Sequence, residues 1–72
     1  MRKILITGSL GQIGTELTMF LREQYGNDNV IASDLTNNGP ENVLTSGPFE
    51  SLDILDAKKM AEICDKYKVN TI

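Results

Sequence analysis

The sequence predicts an α/β fold, the first half of a doubly wound parallel sheet, with elements in the order β-α-β-β-α-β. Three observations carry that expectation. Short aliphatic runs are continuous rather than alternating, as in strands covered on both faces. A stripe of apolar residues at helical spacing separates the first two runs. Gly8, Gly11 and Gly14 fall between the first run and that stripe, where a strand hands over to a helix.

The first strand is expected over residues 3–7, built on Ile4, Leu5 and Ile6. After the glycines, Ile13, Leu17, Phe20 and Leu21 recur at spacings of three and four, which predicts a helix to about Tyr25 with these side chains toward the core. Gly26 and Asn27 end it. Val30, Ile31 and Ala32, closed by Ser33 and Asp34, form the second strand. Residues 36–48, rich in Asn, Gly, Pro, Ser and Thr, read as one long loop. A third strand is expected over residues 49–55. Asp56 then caps a second helix with Ala57, Met60, Ala61, Cys64 and Tyr67 on one side, ending near Lys68. Val69, Asn70, Thr71 and Ile72 approach a fourth strand that the sequence does not finish, so the domain is expected to be truncated. Residues 1–72 would be its N-terminal part, with the rest of the cofactor domain and a substrate domain absent.

Composition narrows the function. A chain of 72 residues, 40% hydrophobic, builds one thin core. Seven Lys and Arg against ten Asp and Glu give a net charge of -3, which offers no basic field to a nucleic acid or an anionic membrane. The single cysteine, Cys64, excludes an internal disulfide and agrees with a reducing, cytoplasmic compartment. Arg2 and Lys3 precede a short apolar run, but Gly8, Gly11 and Gly14 interrupt it, unlike a signal peptide or a spanning helix.

The chemistry concentrates in the glycine loop. Gly8, Gly11 and Gly14 permit a tight turn and close approach of a ligand to the backbone. Amides at the helix start, among them those of Gln12 and Ile13, would then face a pyrophosphate, helped by the helix dipole and without any basic side chain. Three spaced glycines alone are equally readable as turn residues. Asp34 adds the context, since it ends the second apolar run twenty positions after Gly14, where a dinucleotide-binding, Rossmann-type unit places an acid for the ribose diol. A carboxylate there favours NAD over NADP, whose 2′-phosphate it would repel, and no Arg follows Arg22 to neutralise that phosphate. Leu35 beside it is a further candidate cofactor contact, and Asp53 and Ile54 at the end of the third run could line the adenine pocket. Asp53 and Ile54 are equally readable as a strand end leading into the Asp56 cap.

Other residue types point to packing. Cys64 has no His in the chain to activate it and reads as a small core residue, with Met60 and Tyr67 packed on the same stripe. Asp53 and Asp56, without further oxygen ligands, make no metal site. Lys58, Lys59, Lys66 and Lys68 read as solvent-facing charges.

The segment Ile4-Leu5-Ile6-Thr7-Gly8-Ser9-Leu10-Gly11-Gln12-Ile13-Gly14 resembles the extended short-chain dehydrogenases, the NAD-dependent epimerases and dehydratases, and the likeness runs over the whole chain. Gly11-Gln12-Ile13-Gly14-Thr15-Glu16-Leu17, Asn29-Val30-Ile31-Ala32-Ser33-Asp34 and Ser46-Gly47-Pro48-Phe49-Glu50 look more narrowly like the short-chain threonine dehydrogenases, one branch of that family. The resemblance implies pyrophosphate at the glycine loop, ribose at Asp34, and adenine beside Asp53 and Ile54. It implies an oxidoreductase that transfers hydride from threonine to NAD, giving 2-amino-3-oxobutyrate, with a Tyr-x-x-x-Lys pair and a Ser or Thr handling the proton. Tyr25 and Tyr67 have Asn29 and Thr71 four positions on, so no catalytic residue is expected here, and the chain alone should be inactive.

Two rival readings accompany this one. A sugar-nucleotide epimerase or dehydratase shares the glycine loop and would differ beyond Ile72, whereas a non-catalytic nucleotide-binding module would keep the loop without a catalytic half. On any of them a half-sheet leaves an apolar edge and unpaired backbone groups, which predicts marginal stability or association into a homo-oligomer.

Overall fold

A computed structural model describes residues 2–72. The elements are β1 (Ile4–Ile6), α1 (Gln12–Tyr25), a 3-10 turn (Asn27–Asn29), β2 (Val30–Asp34), α2 (Glu41–Thr45), β3 (Phe49–Ser51) and α3 (Ala57–Tyr67). The three strands form one parallel sheet in the order β1-β2-β3. Ile4 pairs with Val30 and Ile6 with Ala32, while Ala32 pairs with Phe49 and Asp34 with Ser51. On the outer side of β1, Thr71 makes a parallel bridge to Ile4 and its carbonyl accepts the Leu5 amide at 2.9 Å. Thr71 thus lies where a further parallel strand would join beside β1, and the expected approach to a fourth strand is present as that bridge.

Both faces of the sheet are covered at β1 and β2, which is why Ile4–Ile6 and the Val30, Ile31, Ala32 run are continuous and apolar. Leu5, Ile31, Leu52 and Ile63 pack on the α3 side, with Met60, Cys64, Tyr67 and Val69 against them. Ile4, Ile6 and Val30 pack on the other side with Leu21 of α1. Cys64 is a half-buried packing residue, as expected.

Five sequence expectations are corrected. The stripe of α1 does not face the sheet. Ile13 is 81% exposed and Phe20 58%, Leu17 is exposed too, and only Leu21 packs inward. The inner line is instead Gly14, Thr18 and Arg22, four residues apart and rotated by roughly a third of a turn from the apolar stripe. Arg22 explains the rotation. Arg22 is 2% exposed, and its guanidinium donates to the Val30 carbonyl at 3.2 Å, the Val43 carbonyl at 2.6 Å, the Ser46 hydroxyl at 2.9 Å and the Pro48 carbonyl at 2.7 Å.

The stretch 36–48 is not all loop, because Glu41–Thr45 forms a helical turn that buries Val43 completely and delivers its carbonyl to Arg22. The third strand stops at Ser51 rather than Leu55. There the Asp53 carboxylate accepts the Leu55 amide at 2.9 Å and its carbonyl accepts the Asp56 amide at 2.8 Å, a local turn that competes with the ladder. On α3 the buried line runs through Met60, Ile63, Cys64 and Tyr67, whereas Ala57 and Ala61 are exposed. Ile63, absent from the expected stripe, is the one fully buried side chain of that helix.

The ends of α3 follow the sequence closely. The Asp56 carboxylate accepts the Lys59 amide at 3.0 Å, the expected N-cap. Lys68 adopts the left-handed region at φ 58, closing the helix with the Val69 amide on the Cys64 carbonyl at 2.9 Å. Lys66 is not simply a solvated charge: it pairs with Glu50 of β3 at 2.9 Å and lies over the Tyr67 ring, whose hydroxyl donates to the same Glu50 oxygen at 2.6 Å. The Tyr67 hydrogen bond, and secondarily Lys66, hold the Glu50 carboxyl below its ordinary range.

Replacing Arg22 with Met should remove the guanidinium donors of the Val30, Val43 and Pro48 carbonyls and of the Ser46 hydroxyl, leaving Pro48 only its Ala32 amide, and lower unfolding stability by about 3 kcal/mol, with Arg22→Lys recovering little because an ammonium cannot span all four acceptors. Equilibrium urea unfolding followed by circular dichroism measures this, and a loss below ~1 kcal/mol for the Met variant would contradict the assigned role.

Candidate functional site

The site forms where the carboxyl ends of β1 and β2 meet the start of α1, the edge at which open parallel sheets take ligands. After Ile6 the chain turns sharply: Gly8 sits at φ 66, a left-handed conformation that side chains with a Cβ resist. The turn returns over the end of β2. The Ser33 carbonyl accepts both the Ser9 amide and the Ser9 hydroxyl at 2.9 Å, and the Ser33 hydroxyl donates to the Ile6 carbonyl at 2.8 Å. The Thr15 hydroxyl donates back to the Ser9 carbonyl at 3.1 Å.

The other two glycines have different reasons to be glycine. A Cβ on Gly14 would collide with the Gly8 carbonyl and press within 2.9 Å of the Ser9 Cα, so this position lets α1 lie close against the turn. A Cβ on Gly11 would meet only the Gly8 carbonyl, at an ordinary 3.6 Å. The protein itself therefore does not demand a glycine at position 11, and the open space there leaves room for something outside the chain to approach the backbone.

Gly11 is also the N-cap of α1 and provides no side-chain acceptor. The first-turn amides, those of Gln12, Ile13 and Gly14, have no intrahelical acceptor by helix geometry. Together with the positive end of the helix dipole they form an uncapped donor surface suited to an anion.

Asp34, the last residue of β2, is partly buried beside this turn. One carboxylate oxygen accepts the Leu10 amide at 3.0 Å and the other accepts the Leu35 amide at 2.8 Å. Each oxygen keeps a further lone pair, so the side chain is oriented yet still able to accept from two hydroxyls. Thr7, Gly8, Asp34, Leu35, Leu52, Asp53, Ile54 and Leu55 line a groove of about 390 Å³ at this edge. The structure thus brings Gly8, Asp34, Leu35, Asp53 and Ile54 into one groove, with Gly11, Gln12, Ile13 and Gly14 on the adjoining turn and helix start. Leu35, Ile54 and Leu55 are large apolar side chains left exposed at its lip. Asp53 lies beyond the end of β3, where one of its carboxylate oxygens accepts the Leu55 amide in the turn before the Asp56 cap, and it also lines the groove.

Sequence reasoning passed over Ser9, Leu10 and Ser33. Their bonds join residues 24 apart along the chain, and serine beside glycine carries no local signal of a long-range partner. Neither tyrosine reaches the groove. Tyr67 is tied to Glu50, and Tyr25 borders a separate apolar groove of about 420 Å³ between α1, β1 and the chain end. Among the described residues no group of acids and cysteines is arranged to hold a metal ion, and no helix is long and apolar enough to cross a membrane.

A parallel sheet with a strand–glycine turn–helix unit and an oriented acid on the neighbouring strand defines the opening half of a Rossmann-type α/β protein. The chain belongs to the NAD dependent epimerase/dehydratase family, whose model matches residues 4–72. It is 49% identical over all 72 residues to an uncharacterized epimerase/dehydratase of Staphylococcus saprophyticus, covering 22% of that protein. The solved structure of L-threonine dehydrogenase from Clostridium difficile matches with a TM-score of 0.87 at 54% identity, covering 100% of this chain and 23% of that one. L-threonine dehydrogenase from Phytophthora infestans matches with a TM-score of 0.83 at 37% identity, covering 97% of this chain and 21% of that one. The chain therefore spans less than a quarter of the length of these relatives.

Gly14→Ala should destabilise the protein by ~1–3 kcal/mol, because backbone rather than a flexible side chain stands in the way. Gly11→Ala should change stability by less than ~0.5 kcal/mol. Thermal melts of the two variants decide this, and equal losses would show that Gly11 is also required by the fold.

Proposed function

We propose that residues 1–72 are the cofactor-holding N-terminal part of a longer NAD-dependent oxidoreductase, and that the intact protein oxidises L-threonine to 2-amino-3-oxobutyrate. The observation that carries the cofactor reading is the juxtaposition of an uncapped helix start with an oriented, partly buried Asp34 at one groove. The amides around Gly11, Gln12, Ile13 and Gly14 hold the pyrophosphate, with Gly8 setting the turn. Asp34 accepts from the adenosine ribose diol. Leu35, Asp53 and Ile54 border the adenine, whose flat apolar faces suit the exposed lip.

NAD, when bound, supplies the hydride acceptor for a secondary alcohol. These residues orient it and select it over NADP, because a 2′-phosphate would confront the Asp34 carboxylate. The groups that move the substrate proton lie elsewhere in the intact protein, since neither tyrosine here faces the groove, and the 72 residues alone turn over no substrate. The match to threonine dehydrogenases at 54% identity supports threonine as the substrate. A second reading, a sugar-nucleotide epimerase or dehydratase, draws on the names of relatives such as that from Staphylococcus saprophyticus. In either case a cytoplasmic location is proposed.

Calorimetric titration of the full-length protein with NAD and NADP tests the site. NAD should bind and NADP should bind at least tenfold more weakly, while Asp34→Ala and Gly11→Val should each lose roughly tenfold or more in NAD affinity. A folded protein that binds neither nucleotide, or an Asp34→Ala variant that binds NAD as the parent does, would refute the assignment.

We further propose that the 72-residue chain on its own forms a homo-oligomer, because Ile13, Leu17, Phe20 and Ile72 leave large apolar surfaces in water. In sedimentation velocity the mean mass should rise with concentration, and a concentration-independent monomer would disprove this.

A further inference from the structure

The bonds beneath the glycine turn form a continuous tie between the pyrophosphate and ribose parts of the proposed site. Ser9 is completely buried and Ser33 is 1% exposed, yet both carry hydroxyls, and each hydroxyl has a partner. Burial of two hydroxyls at the rim of a site is a cost unless their bonds hold a particular geometry. The geometry they hold is that of the turn. Ser33 donates to the last carbonyl of β1, that of Ile6, and its own carbonyl accepts Ser9 twice, from the amide and from the hydroxyl. The next residue in each segment continues the tie, with the Leu10 amide on the Asp34 carboxylate at 3.0 Å. Thr15, one turn into α1, donates to the Ser9 carbonyl and fastens the helix start to the same point.

We propose that Ser9 and Ser33 are positioning residues that set the glycine turn, and with it the first-turn amides of α1, against the phosphates of the cofactor. This rests on the cofactor reading above. Gly8 supplies the turn its conformational freedom, but glycine-rich backbone orders itself only at an entropic cost. The paired serines remove that cost before the ligand arrives, so that the amides already point where the phosphate oxygens come to rest. Asp34 retains the Leu35 amide as a second anchor, and the ribose part of the site is less dependent on the serines than the pyrophosphate part.

The experiment compares ADP, NAD and adenosine as ligands of the full-length protein, using Ser33→Ala, Ser9→Ala and, as a control for lost stability, Ile63→Val in the opposite core. Ser9→Ala retains the Ser9 amide bond to Ser33 and so keeps the turn's main-chain tie even if Ser33→Ala folds poorly. The serine variants should weaken ADP and NAD alike, by about tenfold, and leave adenosine within about twofold. Ile63→Val should alter the melting temperature and none of the three affinities. Equal weakening of adenosine and ADP, or unchanged ADP affinity in folded serine variants, would overturn the proposal. Failure of the parent protein to bind NAD at all would instead remove the cofactor reading beneath it.

Discussion

Arg22 is the constraint around which the rest of this structure is arranged. A guanidinium is planar, stays charged at any accessible pH and presents five N–H donors in a fixed fork. Here that fork is buried without a carboxylate partner among the described residues, and it is satisfied by carbonyls of Val30, Val43 and Pro48 and by the Ser46 hydroxyl. Burial disfavours the charge and lowers the Arg22 pKa, and the surrounding carbonyl dipoles are what offset that desolvation. The consequence is architectural: one side chain of α1 joins the beginning of β2, the helical turn α2 and the approach to β3. Gly47 belongs to the same arrangement, because a Cβ there would press on the Asn27 carbonyl and on the guanidinium itself.

The line Gly14, Thr18, Arg22 transmits this anchoring to the functional edge. Arg22 fixes one end of α1 against the sheet, and Gly14 fixes the other by allowing contact with the Gly8 turn. Thr18 between them is fully buried and satisfies its hydroxyl on the Gly14 carbonyl at 2.7 Å. With both ends set, the height of the helix start above β1 and β2 has little freedom left. That height decides whether the first-turn amides and the Asp34 carboxylate can serve one ligand together. The stability of the middle of the molecule and the geometry of its edge are therefore a single problem.

Much of this was legible in the chain, and the boundary of legibility has a physical cause. Strands β1 and β2 were readable because burial on both faces demands unbroken aliphatic runs, and Asp34 was readable because a strand end fixes its distance from the glycine turn. Asp56 was readable as a cap because capping is local. Arg22, Val43 and Ser46 were not, because a buried guanidinium looks in sequence like any helix-surface arginine until its distant acceptors are known. The same ignorance misplaced the face of α1: Ile13, Leu17, Phe20 and Leu21 have the better apolar spacing, but the Gly14 contact and the four acceptors of Arg22 set the inward face. Ser9 and Ser33 escaped notice for a related reason, since their bonds cross between segments that no local pattern connects.

The exposed apolar residues fall into two groups that carry different meanings. Leu35, Ile54 and Leu55 ring a groove that also contains an oriented carboxylate, and a surface combining apolar walls with a convergent polar group is the composition expected of a small-molecule site. Leu17 and Tyr25 border the groove beside β1 instead, in company with Ile4, Ile6 and Ile72, where the lining is dominated by aliphatic side chains. No acidic side chain lines that second groove, so a hydroxyl-bearing ligand would find no Asp or Glu acceptor in it, whereas further protein surface would be matched by its apolar character. The larger of the two grooves is for this reason the weaker candidate for a cofactor, and the assignment rests on the smaller one, where Asp34, the glycine turn and the apolar lip converge.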